Sequence, residues 1–230
     1  AKDHLLLAFD RMGRRGGWPH RTLARPSDDR ESLCTALIQP QCAQVTDHPG
    51  VTWVVVDGEN IDATLGTAIL GRRPQPDERP RWDRLRTFVE RTWGQPARGV
   101  FFLNASTGIP MAFVQALKAM DYIVVPLSGD ADEKVVDIAI QRTLRALTTR
   151  SADVMLVSHD GDFLDDLGAL IDGRRRVGVV AFSEFRNAGF STLPGLERFD
   201  LEYDAGVFDA PLPRIRVIPI DEFDPNSFLG

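Results

Sequence analysis

The sequence predicts an α/β protein with a mainly parallel central sheet flanked by helices. Three observations carry that expectation. From Val51 onward, short apolar runs alternate with segments of helical spacing, the pattern of strands joined by right-handed crossovers. The runs are continuous in Val, Ile and Phe, as in strands buried on both faces. Asp57 directly follows Val54-Val55-Val56, and Asp160 and Asp162 follow Val154-Met155-Leu156-Val157-Ser158. Carboxylates therefore gather at strand carboxyl ends, where open parallel sheets carry their active sites.

Taken in order, residues 1–50 read as an amino-terminal extension packed on the main domain, with a capped helix start at Asp28-Asp29-Arg30-Glu31. Residues 51–56 form the first strand, Asp57-Gly58-Glu59-Asn60 a turn, and 61–70 a helix. Residues 71–81, rich in Pro and Arg, read as a loop. Leu85, Phe88 and Val89 set a helix over 82–93, and 99–104 is a second buried strand. Pro110 opens a helix to 120, and 122–127 is the third strand. A long helix over 132–147 places Val135, Val136, Ala139, Ile140, Leu144 and Leu147 on one face. Strand 154–158, helix 162–171 and strand 177–182 follow. Beyond about Ser183 the chain is rich in Pro and Gly and continues the same domain, with a late strand expected at 214–220.

With 230 residues, 43% of them hydrophobic, the chain is long enough to bury a full core. A net charge of −6 excludes a globally basic nucleic-acid binder. Positive charge is almost all arginine, 24 residues against Lys2, Lys118 and Lys134. Such a bias follows from genome base composition more often than from phosphate recognition. Cys34 and Cys42 match no zinc spacing and read as reduced thiols. No apolar run approaches membrane-spanning length and no signal-peptide core opens the chain, so a cytoplasmic protein without membrane contact is expected.

Three acidic motifs carry the chemistry. In Asp57-Gly58-Glu59-Asn60 the strand presents Asp57, Gly58 permits a tight turn, and Asn60 caps the helix or holds Asp57; an ordinary capping turn has the same composition. In Ser158-His159-Asp160-Gly161-Asp162-Phe163 two carboxylates bracket a glycine at a helix start, one more than a cap requires. His159 reads as packing or capping there. Asp132 and Glu133 suit a first helical turn, but Asp137 lies deeper, where no capping role explains it. Lys134, three residues before, shares its face and can pair with it or contact a phosphate. So many acids in one place repel each other unless a divalent cation offsets them.

Together, strand-Asp57-Gly58-x-Asn60, then Lys134-x-x-Asp137, then strand-Ser158-x-Asp160-x-Asp162-Phe163 resemble the NYN domain, a branch of the PIN-like nucleases. The resemblance spans roughly residues 51–182. It implies a three-layer Rossmann-like (PIN-like) domain and a ribonuclease dependent on Mg²⁺ or Mn²⁺, with acidic roles on Asp57, Asp137, Asp160 and Asp162. Many relatives carry another Asp where Gln141 stands here. On this reading Asp57, Asp160 and Asp162 hold one hard cation, and Asp137 completes the site or positions the attacking water. Asn60 or Ser158 would orient a carboxylate or a phosphate. PIN-like domains often pair, so a homodimer is an expected assembly.

RNA needs positive charge, and residues 71–98 supply eight Arg against four acids, Arg72, Arg73 and Arg81 among them. Trp82 and Trp93 lie in the same stretch and are candidates for base stacking or for the core. Arg174-Arg175-Arg176 is a second basic cluster with the look of a solvated turn. Two alternatives stand beside the nuclease. One is a Toprim-like phosphotransfer enzyme using Glu59; the other is an NYN-like module that binds RNA or protein without cutting. A haloacid-dehalogenase phosphatase would need Asp-x-Asp after the first strand, and Asp57-Gly58-Glu59 does not supply it.

Overall fold

A computed structural model describes residues 50–229 except 107, 131, 132, 216, 217 and 219. The expected amino-terminal extension, Gly50 apart, lies outside the described residues. Six parallel strands form the sheet: β1 (Thr52–Asp57), β2 (Ala97–Asn104), β3 (Ile123–Leu127), β4 (Asp153–Val157), β5 (Val177–Ala181) and β6 (Leu196–Asp200). Their order is β3-β2-β1-β4-β5-β6. The sheet was expected to be mainly parallel, and every pairing in it is.

Helices cover both faces. The helix α1 (Gly58–Ala63) runs without a break into π-helical turns at Thr64–Leu70 and ends at Gly71, whose φ of 65° only glycine adopts without strain. It starts three residues earlier than the sequence suggests, because Asp57 itself is the cap. Next come α2 (Trp82–Trp93), α3 (Met111–Ala119), α4 (Val135–Leu147), α5 (Leu164–Leu170) and α6 (Asn226–Leu229). The helix expected over 162–171 divides into a 3₁₀ turn, Gly161–Phe163, and α5. The helix α4, expected from Asp132, begins instead at Val135 with Lys134 as its cap, so Asp137 stands in its first turn rather than a turn deeper; Asp132 itself lies outside the described residues.

Strand alternation separates two cores. Val54, Val56, Phe101, Leu103, Met155, Val157, Val180 and Phe182 pack with Ile61 of α1, with Leu65 of the π-helical turns and with Leu85, Phe88, Val89 and Trp93 of α2. On the opposite face Val100 and Phe102 turn toward Val135, Ile138 and Ala139 of α4. Each fully buried aliphatic side chain contributes about 1.5–3 kcal/mol. At position 178 a Cβ would lie 2.8 Å from Met155 Sδ and 3.0 Å from Trp93, so glycine there lets the indole lie on the sheet. Trp82 and Trp93 are both buried in this core.

The tail differs from expectation. None of the described residues of 214–220 is in a strand; the sixth strand is β6, the edge strand Leu196-Glu197-Arg198-Phe199-Asp200, which mixes charged and apolar residues. Arg214 is drawn instead into a buried cluster. Its guanidinium pairs with Asp200, Glu202 and Glu184 and lies between the rings of Phe182 and Tyr203. Burial raises the Asp200 carboxyl, but hydrogen bonds from Arg214 and from the Tyr203 and Ser183 backbone outweigh it and hold the group below its ordinary range. No described helix is long and apolar enough to cross a membrane.

Candidate metal centre

Chains leaving β1 and β4 diverge, because β1 hydrogen-bonds to β2 on one side and β4 on the other. A crevice opens at such a switch point, and the acidic motifs meet there. Asp57 ends β1 and caps α1, accepting from the Asn60 N–H at 3.3 Å through Oδ1. Its Oδ2 accepts from Ser158 Oγ at 3.0 Å. Only 2% of Asp57 is exposed. Burial pushes its carboxyl up to about 6 against the pull of Ser158 and Asn60, and the charges of Asp137 and Asp160 push the same way.

The loop after β4 is tied down on every side. Ser158 Oγ also accepts from the Asp160 N–H at 3.2 Å, and Asp160 Oδ1 accepts from the Asp162 N–H at 2.9 Å. Asn187 donates its backbone N–H to the His159 carbonyl at 3.1 Å. A Cβ at Gly161 would come within 2.4 Å of Asn187 Nδ2, so the loop rests directly on that side chain.

His159 is buried and stacks on Phe182 with 5.4 Å between ring centroids. The Phe182 N–H donates to Nε2 at 2.9 Å, which leaves Nδ1 as the protonated nitrogen facing Asn60 Oδ1 at 2.8 Å. Asn60 Oδ1 accepts in addition from the His159 backbone N–H at 2.9 Å. Burial lowers the imidazole to about 4, so the ring is neutral at pH 7. Both ring nitrogens are spent on protein partners, and His159 acts as a brace. The Asn60 carbonyl oxygen faces His159, not Asp57.

Lys134 precedes α4, and Asp137 lies in its first turn. The Asp137 carboxylate meets those of Asp160 and Asp162, one oxygen of each lying within 4.8 Å of the others. Lys134 Nζ lies 3.3 Å from Asp137 Oδ2 and 3.2 Å from Asp162 Oδ2. The sequence suggests Asp57, Asp160 and Asp162 as the nearest set. The geometry gathers Asp137, Asp160 and Asp162 and stands Asp57 behind them. A hard cation with oxygen ligands at ~2.1–2.4 Å separates those oxygens by roughly 3–4.8 Å, so the three acids could hold a divalent cation. Gln141 Nε2 donates to the Asp162 carbonyl at 3.2 Å. Glu59 turns away, accepting from the Asn104 N–H at 2.9 Å.

The arginines divide by place. Arg72 and Arg73 line a cleft of about 560 Å³ beside the α1 face, together with Glu59, Asp62, Gly66 and Pro74. That cleft begins two residues from Asp57. Arg72 forks onto Glu78 at 2.7 and 2.6 Å. Arg81 binds Asp209, which Arg84 also holds, and so fastens the tail to α2. Arg175 donates to the Leu147 and Thr148 carbonyls at the end of α4, and Arg176 pairs with Glu197 over Trp93. Asn187 and Arg214 carry no motif that sequence reading would notice; Gln141 was marked only by the acid it replaces.

A family model described as the NYN domain matches residues 51–193. No curated protein matches the chain.

Proposed function

We propose, from the premise that the chain belongs to the NYN domain family, a branch of the PIN-like nucleases, that it is a metal-dependent ribonuclease hydrolysing RNA phosphodiester bonds. The observation that supports this best is the convergence of Asp137, Asp160 and Asp162 from separate elements to within 4.8 Å, with Asp57 buried behind them. In this reading Asp137, Asp160 and Asp162 hold Mg²⁺ or Mn²⁺. A bound ion would offset the charge that builds on the phosphate during attack.

The chain's own residues do the rest. Ser158 holds Asp57 and the Asp160 backbone together, so the ends of β1 and β4 move as one. Asp57 adds negative charge behind the three acids and deepens the field that draws a cation in. His159 and Asn60 keep the β4 loop against α1, and Gln141 holds Asp162 from α4. Arg73 and Arg72 line the cleft along which an RNA strand would leave the centre, with Arg81 further along the same segment.

Cleavage of labelled single-stranded and tRNA-like RNA with Mn²⁺ or Mg²⁺, wild type against Asp160→Asn, tests the proposal. Metal-dependent cutting that the variant loses, with its fold intact, is the expected result. Absence of cutting by the wild type, together with absence of metal binding in calorimetry, would favour a binding module, the reading that Gln141 in place of an acid supports. The Toprim-like alternative loses its acid, since Glu59 faces β2. We place the protein in the cytoplasm, where RNA and reduced thiols coincide. A homodimer is the assembly we infer, and sedimentation of the full chain checks it.

A further inference from the structure

Resting on the metal-dependent reading above, we propose that Lys134 is a built-in counter-ion of the acidic centre. A divalent metal displaces it, and the freed ammonium then serves the RNA phosphate. Removing Lys134 therefore tightens metal binding while slowing cleavage.

The geometry points this way because Nζ touches Oδ2 of Asp137 and Oδ2 of Asp162 at 3.3 and 3.2 Å, two of the three converging acids. Those acids come from α4 and from the 3₁₀ turn after β4, so the ammonium bridges two elements. Three carboxylates this close repel one another without a cation between them. An ion that draws on all three takes their oxygens at ~2.1–2.4 Å, well inside ammonium contact distance. Lysine and metal thus compete for Asp137 and Asp162.

The residue type suits exchange. The other ion pairs among the described residues named above (Arg72–Glu78, Arg81–Asp209, Arg176–Glu197 and the Arg214 cluster) use arginine, whose planar fork grips a carboxylate at two points. The chain has only three lysines against 24 arginines, and one stands at this centre. Its side chain is 68% exposed, a point charge on a flexible stem that needs no rearrangement of the fold to swing outward. Swung outward it stays within reach of any phosphate held over the acids.

A staple role for Lys134 predicts the opposite sign, since losing a staple would scatter the acids and weaken the metal. Calorimetric titration of the full chain with Mn²⁺, without RNA, decides between them for wild type, Lys134→Met, Lys134→Arg and Asp160→Asn. Lys134→Met should bind roughly 3- to 10-fold tighter, the range two exposed ion pairs can impose. Lys134→Arg, able to fork onto the acids, should bind no tighter than wild type. At saturating Mn²⁺, single-turnover RNA cleavage by Lys134→Met should fall by about tenfold or more. Equal or weaker Mn²⁺ binding by Lys134→Met overturns the proposal, and cleavage at the wild-type rate overturns the transfer to phosphate. Should Asp160→Asn bind Mn²⁺ as wild type does, the metal centre itself fails and this inference with it. Weakened binding in Asp160→Asn beside unchanged binding in Lys134→Met sinks the inference alone. Melting curves control for folding.

Discussion

Ser158 donates its hydroxyl to Asp57 at 3.0 Å, joining the carboxyl ends of two adjacent parallel strands that lie 101 residues apart in the chain. One hydrogen bond thereby links the first acidic motif to the third and keeps a carboxylate charged in a place that disfavours charge.

Asp57→Asn should stabilise the metal-free protein while abolishing cleavage. Burial raises the Asp57 carboxyl from its ordinary 3.8 to about 6, so at pH 7 the folded state carries the cost of an ion it has desolvated. The amide has no such cost, although with one acceptor oxygen it gives up either the Ser158 or the Asn60 hydrogen bond. A gain of about 1–2 kcal/mol in metal-free urea unfolding is expected. A melting point below wild type would refute it.

Arg73→Ala should weaken RNA binding more than Arg81→Ala. Arg73 lines the cleft along α1 and the π-helical turns, whereas Arg81 is engaged with Asp209. Loss of one phosphate contact lowers the slope of log K against log salt by about 0.7 for a single strand. Binding of labelled RNA by catalytically silent Asp160→Asn protein, across a salt series, reads the difference; equal slopes in both variants would count against the cleft as the path.

Gly161→Ala should loosen the loop that carries Asp160 and Asp162, because its Cβ would lie 2.4 Å from Asn187 Nδ2. Overpacking of this kind costs about 1–3 kcal/mol. Adding Asn187→Ala should recover most of that loss and most of the Mn²⁺ affinity. Additive losses in the double variant would show that the two residues do not press on each other.

Arg214→Met should destabilise the domain by about 3–5 kcal/mol, since it leaves Asp200 and Glu202 buried without their cation. The pH dependence has a definite sign. Burial opposes the charged forms of Asp200 and Glu184, yet hydrogen bonds from Arg214 hold both below their ordinary 3.8 and 4.5. Their contribution is therefore complete above those values and is lost as pH falls through them toward the folded values. Acid titrations of stability should show a drop below about pH 4 in the wild type that Arg214→Met largely lacks.

Much of the sheet was legible because the middles of β1, β2, β4 and β5 are buried on both faces and carry runs of apolar side chains. The strand β6 was not, since three of its five residues are charged and it sits among prolines and glycines. Arg214 was read as strand because Ile215, Val217 and Ile218 surround it; its partners Asp200, Glu202 and Glu184 are 12 to 30 positions away, and only packing brings them together. The four acids were visible from their positions after strands and on α4. Their division into a converging three and a buried fourth was not, because it depends on which carboxylate Ser158 and the Asn60 backbone occupy. The sequence also left open whether Trp82 and Trp93 face solvent, and burial in the α2 core answers that.

The position of β4 has a consequence for how the protein comes into being. This strand is fourth along the chain but sits in the middle of the sheet, beside β1. Until it has been made, the open edge of β1 has no neighbour, and Asp160 and Asp162 do not exist beside Asp137. A growing chain therefore holds only Asp57 and Asp137 of the four acids until that point. Because the last two converging acids follow this late central strand, the three can meet only once the chain has been made through the turn after β4 and that strand has docked beside β1.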